Sequence, residues 1–405
     1  MSDPDLSLSQ TAWNTFADRL KQIGEKITGP TGARTPRERA EGYRYLVRLL
    51  AAAHELEMEY DRRHPRLARM MTPIRKFKGD GTDTLYHEAK LDETLAYEMT
   101  VRRGEDLFFS VTVYAYDENG SYYIVDDLID EKIEWQEEGD DTVARIRLSA
   151  ERPEGVANWI ALKGERPILF TRQYFPEFVH ATDAGAYRPA VMNVACISPV
   201  DVPEPYGEDD LAQGLERVVD FVEDATDVSI GLSIFAGLNL VSYEKTQEGQ
   251  PVDATHIADG NLLLEGERHD DYTPAELAQM IDPKLIANNL PGPGIQYMGA
   301  WYRLRDDEAI RIRGKNVPCR YWSCQILTRY LESGDYRFHR VGINDRQVKM
   351  NDDGSFEIYA SHENPGVDNW ISTQGYPSGH ILIRTLLADP LMEADFSVVK
   401  VAAIG

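Results

Sequence analysis

The feature that most constrains this chain is that it repeats itself. Gly155-Val156-Ala157-Asn158-Trp159-Ile160 returns as Gly366-Val367-Asp368-Asn369-Trp370-Ile371. An arginine follows each copy at nearly the same distance, Arg172 at 14 residues from Asn158 and Arg384 at 15 from Asn369. Upstream, Phe109-Ser110-Val111 answers Trp322-Ser323-Cys324, and the serines precede their asparagines by 48 and 46 residues. The echo reaches back through Leu91-Asp92-Glu93 and Arg103-Gly104 to Leu304-Arg305-Asp306-Asp307-Glu308 and Arg313-Gly314. Two copies of about 85 residues at near-constant offset imply two related modules in one chain.

The modules read as β. Short alternating segments at Tyr97–Arg103, Leu107–Tyr116, Ser121–Asp126, Lys132–Gln136, Val143–Leu148, Asn158–Leu162 and Ile168–Tyr174 are separated by turn clusters such as Asp117-Glu118-Asn119-Gly120. Even spacing of short strands predicts a sandwich or jelly roll. Helical patterns precede each module. Residues 9–27 carry Trp13, Phe16, Leu20 and Ile23, and Thr35-Pro36-Arg37-Glu38 is a capping box opening an apolar face from Tyr43 to about Tyr60. After the Pro-rich passage Val200–Gly207, Leu211, Leu215, Val218, Val219 and Val222 trace an amphipathic helix, with 228–242 continuing helical and buried. A second capping box, Thr273-Pro274-Ala275-Glu276, opens another. The predicted class is α+β, mainly β: a helical region at 1–71, a first β-sandwich at 72–200, a helical insertion at 201–294 and a second sandwich at 295–405.

Composition narrows the partners. Forty-three Lys and Arg against 68 Asp and Glu give a net charge of −25, which repels nucleic-acid phosphates and anionic lipid. Neither nucleic acid nor a membrane is expected as a partner. The apolar, uncharged stretch Val228 to Ser242 falls short of the roughly 20 residues needed to span a bilayer. Three cysteines make no disulfide framework, and Met1–Gln10 lacks the pattern of an export signal, so the expectation is a cytoplasmic protein.

Arg320-Tyr321-Trp322-Ser323, Asn351-Asp352-Asp353-Gly354-Ser355, Pro365-Gly366, Asn369-Trp370 and Arg384 resemble the bacterial family known as domain of unknown function 1214. Gly42-Tyr43-Arg44-Tyr45-Leu46, Pro73-Ile74-Arg75-Lys76, Asp80-Gly81-Thr82-Asp83 and Tyr86 are similar to its usual companion, domain of unknown function 1254. The resemblance implies a pair of jelly-roll-like β domains with helical decoration, and no particular reaction. Relatives often carry export signals, a pattern from which this sequence departs.

Polar residues inside apolar segments are the candidates for chemistry. Arg172 and Arg384 each lie in an apolar strand, where a charge must be paired. The alternatives are an ion pair with a carboxylate of the Leu-Asp-Glu segment or an anion-holding site between the modules. His380, Tyr86 and His87 are candidates for acid–base work, and Tyr321 and Trp322 for ligand contact. Asn158-Trp159 and Asn369-Trp370 suit either a structural corner or a substrate platform. Asp80-Gly81-Thr82-Asp83 reads as a structural turn before a calcium loop. No metal motif, P-loop, nucleophile elbow or dinucleotide fingerprint is present, so no metal and no cofactor is expected.

Two functional expectations follow. The first is a cofactor-independent enzyme using acid–base chemistry (hydration, dehydration or hydrolysis) on a small, largely apolar organic molecule, in a pocket between the β modules and the helices. The second is a non-catalytic carbohydrate-binding protein with aromatic platforms on its sheet faces. A homo-oligomer is expected, and a third reading is a scaffold whose duplicated faces make that oligomer, with the apolar helix at 228–242 as the interface.

Overall fold

The computed structural model describes residues 7–29, 32–118, 120, 122–179, 183–237, 292 and 294–404. Three helices form one layer. Ser7 caps α1 (Leu8–Lys26), and the Thr35/Glu38 capping box opens α2 (Pro36–Ala53), which runs on through a π-helical turn at His54–Met58. The third helix, α3 (Glu208–Gly237), lies against both. Arg19 and Lys26 of α1 pair with Asp220, Glu223 and Asp227 of α3. Tyr45, Leu49, Ala52 and Leu56 meet Val218, Val219, Val222 and Ala225 in one apolar cluster. The apolar face of α3 through Ile230 is buried within the chain itself; the side chains of 232–242, the rest of the stretch expected as an oligomer interface, lie outside the described residues. The second capping box at Thr273 and residues 238–242 lie outside the described residues.

The first sandwich pairs a sheet ordered β1 (Ala68–Arg69), β2 (Thr84–Lys90), β9 (Glu165–Tyr174), β4 (Phe108–Tyr116) and β5 (Tyr122–Ile129) with a second sheet. That sheet is ordered β10 (Val191–Cys196), β3 (Tyr97–Arg102), β7 (Asp141–Ser149) and β6 (Gln136–Glu138), and β8 (Trp159–Ala161) lies parallel to β7. The second sandwich has sheets β11 (Ile295–Arg303), β17 (Ser378–Leu386), β13 (Tyr321–Leu327), β14 (Gly342–Asn344) and β16 (Trp370–Ser372), β15 (Ser355–Ser361), β12 (Glu308–Lys315), β18 (Ala394–Lys400). The order β2-β9-β4-β5 thus recurs as β11-β17-β13-β14, and β10-β3-β7-β8 as β18-β12-β15-β16. The mainly β, two-module architecture and the duplication are one fact seen twice.

Register repeats with topology. Arg172 faces Ser110 on one neighbouring strand and Tyr86 on the other, while Arg384 faces Ser323 and Tyr297. One expected strand does not form. The stretch Lys132–Gln136 is irregular apart from Gln136, because its alternation is satisfied by anchoring: Ile133 enters the core and the Trp135 indole donates to the Asp130 carbonyl.

The turn at Asp80–Asp83 joins the modules. Asp80 accepts from the Ser333 amide and hydroxyl at 2.7 and 2.6 Å, and the Thr82 amide donates to Gln325 at 3.2 Å. Tyr321 and Asn344 donate to Asp83. Leu85, Phe175 and Val179 enter the core of the second module.

Candidate functional site

Strand alternation gives the first sandwich a second buried face. Ala89, Val111, Val113 and Leu169 point into its core. The residues between them, Tyr86, Glu88 and Lys90 on β2, Tyr114 and Tyr116 on β4, and Ile168, Phe170 and Arg172 on β9, point the other way and line a cleft of about 450 Å³. Helix α3 roofs it with Arg217, Phe221 and Val228, the segment from Glu57 to Phe77 forms one side, and Tyr297 of β11 closes the end nearest the second module. This volume lies in the range of small-molecule pockets. The rings are ordered against one another. Tyr114 stacks on Tyr122 with centroids 4.8 Å apart and planes 6° from parallel, and Tyr86 and Tyr114 both meet Phe170 edge-on.

Two guanidiniums stand near the inner end, Arg172 in the cleft wall and Arg384 over the ring of Tyr297. Arg172 is 6% exposed and Arg384 2%. Arg172 donates to Tyr114 Oη at 2.8 Å and Thr112 Oγ1 at 3.4 Å, and lies over the Phe170 ring. Arg384 donates to the Gly79 carbonyl at 2.9 Å and lies over the Tyr297 ring. Burial alone would lower both pKa values, but surrounding phenols hold them raised: Tyr114, Tyr174 and Tyr297 around Arg172, and Tyr86, Tyr297, Tyr174 and Tyr321 around Arg384. Both arginines therefore stay charged. Isolating an ion from water costs several kcal/mol in a protein. The expected carboxylate from the Leu-Asp-Glu segment is not the partner. Asp92 caps Thr94, and Glu308 binds Lys400.

Tyr86 is the polar group best aimed for proton chemistry. Its hydroxyl accepts from the Gly81 amide at 3.2 Å, and burial raises its pKa against the pull of Arg384, so it stays protonated. At the opposite end, Lys90 sits between Glu57 at 2.8 Å and Glu88 at 3.0 Å. Burial pushes the Glu57 carboxyl up, while those two carboxylates raise Lys90 despite its own burial.

Of the residues singled out in the sequence, the structure brings Tyr86, Arg172, Arg384 and Tyr321 to the junction and puts the others elsewhere. His380 packs edge-on against Trp301 at 4.6 Å, and burial followed by nearby Arg329 pushes it down to about 3. His87 lies on the opposite face of β2 from Tyr86, lowered to about 4 by burial and then by Arg69. Both imidazoles are held neutral and neither lines the cleft. Trp322 is stacked on Phe356 in the second core, not against a ligand. Tyr321 is buried with its hydroxyl committed to Asp83.

The Asn-Trp pairs form matching corners rather than platforms. Asn158 Nδ2 donates to the carbonyls of Glu134 and Arg145, and its Oδ1 accepts from the Glu134 amide. Asn369 repeats this with Lys349 and Glu357. The Trp159 and Trp370 indoles donate to Ser149 and Ser361, whose hydroxyls donate in turn to the carbonyls of Glu151 and Glu363. All four residues stand away from the cleft.

Sequence reasoning passed over Tyr297, Phe170 and Phe221. Tyr297 was findable, since it follows Tyr86 by 211 residues, the offset between Asn158 and Asn369. Among the described residues no three His, Cys, Asp or Glu side chains converge to hold a metal ion, and no helix is long and apolar enough to cross a membrane.

Residues 82–178 and 300–390 match the family model "Protein of unknown function (DUF1214)". The chain is similar over 98% of its length, and 99% of the other, to the crystal structure of an uncharacterised protein from Burkholderia cenocepacia, at 25% identity and a TM-score of 0.79. It is also similar to the VPA0106 protein from Vibrio parahaemolyticus, at 16% identity and a TM-score of 0.48 over 88% of this chain and 98% of that one. No curated protein matches the chain.

Proposed function

Both β modules of this chain belong to the DUF1214 family, whose description names no reaction, and we propose from the cleft that the protein binds a small, largely apolar organic molecule and acts on it by acid–base chemistry. The observation that carries this reading is the ring-lined cavity of about 450 Å³ beneath α3, on a sheet face that a simple sandwich would fill with side chains or leave to water. Its apolar wall of Phe170, Phe221, Ile168 and Val228 selects an apolar body. Tyr86 is the proton donor: buried, protonated, and beside a guanidinium that stabilises the phenolate formed when the proton leaves. Hydration, dehydration or hydrolysis is the reaction class that one such donor serves.

The carbohydrate reading is weaker. It needs coplanar rings on an open sheet face, whereas Tyr114, Tyr174, Tyr321 and Trp322 are all buried.

The test is a thermal-shift panel of small aromatic and aliphatic compounds on the wild-type chain and on Val228→Trp, which puts an indole into the cleft. Stabilisation of the wild type that Val228→Trp abolishes is the expected result. Hits that stabilise both proteins equally would overturn the site. Chemical change in a bound hit, followed by chromatography and mass spectrometry, should be lost in Tyr86→Phe with binding retained.

A further inference from the structure

The inner end of the cleft carries positive charge that the protein around it does not match. Arg172 and Arg384 occupy equivalent positions in the two modules, each between a serine and a tyrosine on neighbouring strands. Arg172 lines the cleft together with Tyr86 and Tyr297, while Arg384 lies over the Tyr297 ring and its Nη1 shares the space at Gly81 with the Tyr86 hydroxyl, so both guanidiniums stand against the same two tyrosines. Among the described residues neither is ion-paired with a carboxylate. Asp83 acts on Arg384 across a longer gap, but its carboxyl is engaged by Tyr321 and Asn344 and is pushed toward its neutral form by burial. Arg384 also keeps Nε and Nη1 buried without an acceptor. Buried donors of this kind call for a partner.

Resting on the cleft reading above, we propose that the molecule bound there is an organic anion, with its apolar body against Phe170 and the stacked tyrosines and a carboxylate or phosphate held between Arg172 and Arg384. Such a head group supplies the missing charge, accepts from the unsatisfied guanidinium N–H groups, and brings the ligand within reach of the Tyr86 hydroxyl. The duplicated arginine then serves one site built from two modules. A neutral ligand of the same shape leaves both cations as buried as before.

Calorimetric titration of the full chain with 2-naphthoate, 2-naphthamide, 2-naphthyl phosphate and inorganic phosphate tests this. The acid or the phosphate ester should bind at least about tenfold more tightly than the amide, and whichever of the two wins identifies the head group. Arg384→Met and Arg172→Met should each erase that preference, and Arg384→Lys, which keeps a charge, should retain part of it. The preference is read on the wild type, so it stands whether or not a variant folds. Amide binding as tightly as both anions would overturn the anion and leave the cleft. Inorganic phosphate binding as tightly as the two naphthyl anions would overturn the organic body, and no binding by any of the four would overturn both readings.

Discussion

Asn158 separates the structural and functional readings of the repeated Asn-Trp pair most cleanly. Its carboxamide makes three hydrogen bonds, to Glu134 O at 2.8 Å, Arg145 O at 3.2 Å and from Glu134 N at 2.8 Å, in a site only 5% exposed. At about 1 kcal/mol for each bond lost, Asn158→Ala should cost about 3 kcal/mol, with more if the Glu134 amide is left buried and unpaired. With a urea slope of about 3 kcal/mol/M, the unfolding midpoint should fall by about 1 M. Asn158→Asp should do no better, since it turns two donors into an anion facing two carbonyls. Asn369→Ala removes the equivalent bonds at a half-buried position where water can replace them, so its cost should be smaller. Urea unfolding followed by tryptophan fluorescence reads all three. A midpoint shift below about 0.3 M in Asn158→Ala, together with loss of ligand binding, would refute the structural assignment.

Three further outcomes follow from the geometry. A Cβ on Gly81 would lie 2.5 Å from Arg384 Nη1 and 2.9 Å from the Tyr86 hydroxyl, so Gly81→Ala should displace both, weaken ligand binding, and lower stability by about 1–3 kcal/mol; unchanged binding in calorimetry would count against a site at the junction. His380 stays neutral in the folded chain to about pH 3 but protonates near the ordinary imidazole value of 6.5 when unfolded. Stability present above pH 6.5 is therefore lost as pH falls toward 3, on the order of 5 kcal/mol, and urea midpoints at pH 7, 5 and 4 should fall less steeply in His380→Gln. Glu332 behaves oppositely: burial, opposed by Arg48, pushes it up to about 7 from 4.5. Its contribution, on the order of 3 kcal/mol, is present below pH 4.5 and lost as pH rises through 7, so Glu332→Gln should flatten the midpoint between those values.

What could be read from the sequence was whatever local pattern or repetition fixes. The capping box at Thr35 appears where it was expected because its two hydrogen bonds are made within four residues. The duplication foretold two sandwiches of one strand order, and it paired Arg172 with Arg384 before either had a location. The cleft itself was hidden. Its residues alternate along β2, β4 and β9 with core residues, and both faces of that sheet are buried, so no polar face marked either side. Its roof, α3, comes from the far side of the module in sequence, and only tertiary packing sets it over the sheet. His380 misled for a related reason. A lone histidine in an apolar strand looks like machinery, whereas Trp301 and burial make it a neutral core residue.

The central claim is that the ring-lined cleft under α3 holds a small organic anion at the junction of the modules. A crystal structure of the wild-type protein with 2-naphthoate, at a concentration near its solution Kd, tests it most directly. The account predicts density in the cleft, with the carboxylate between Arg172 and Arg384 and the rings against Phe170 and Tyr114. Density seated elsewhere, or both guanidiniums found paired with the protein's own carboxylates and the cleft empty, would contradict it.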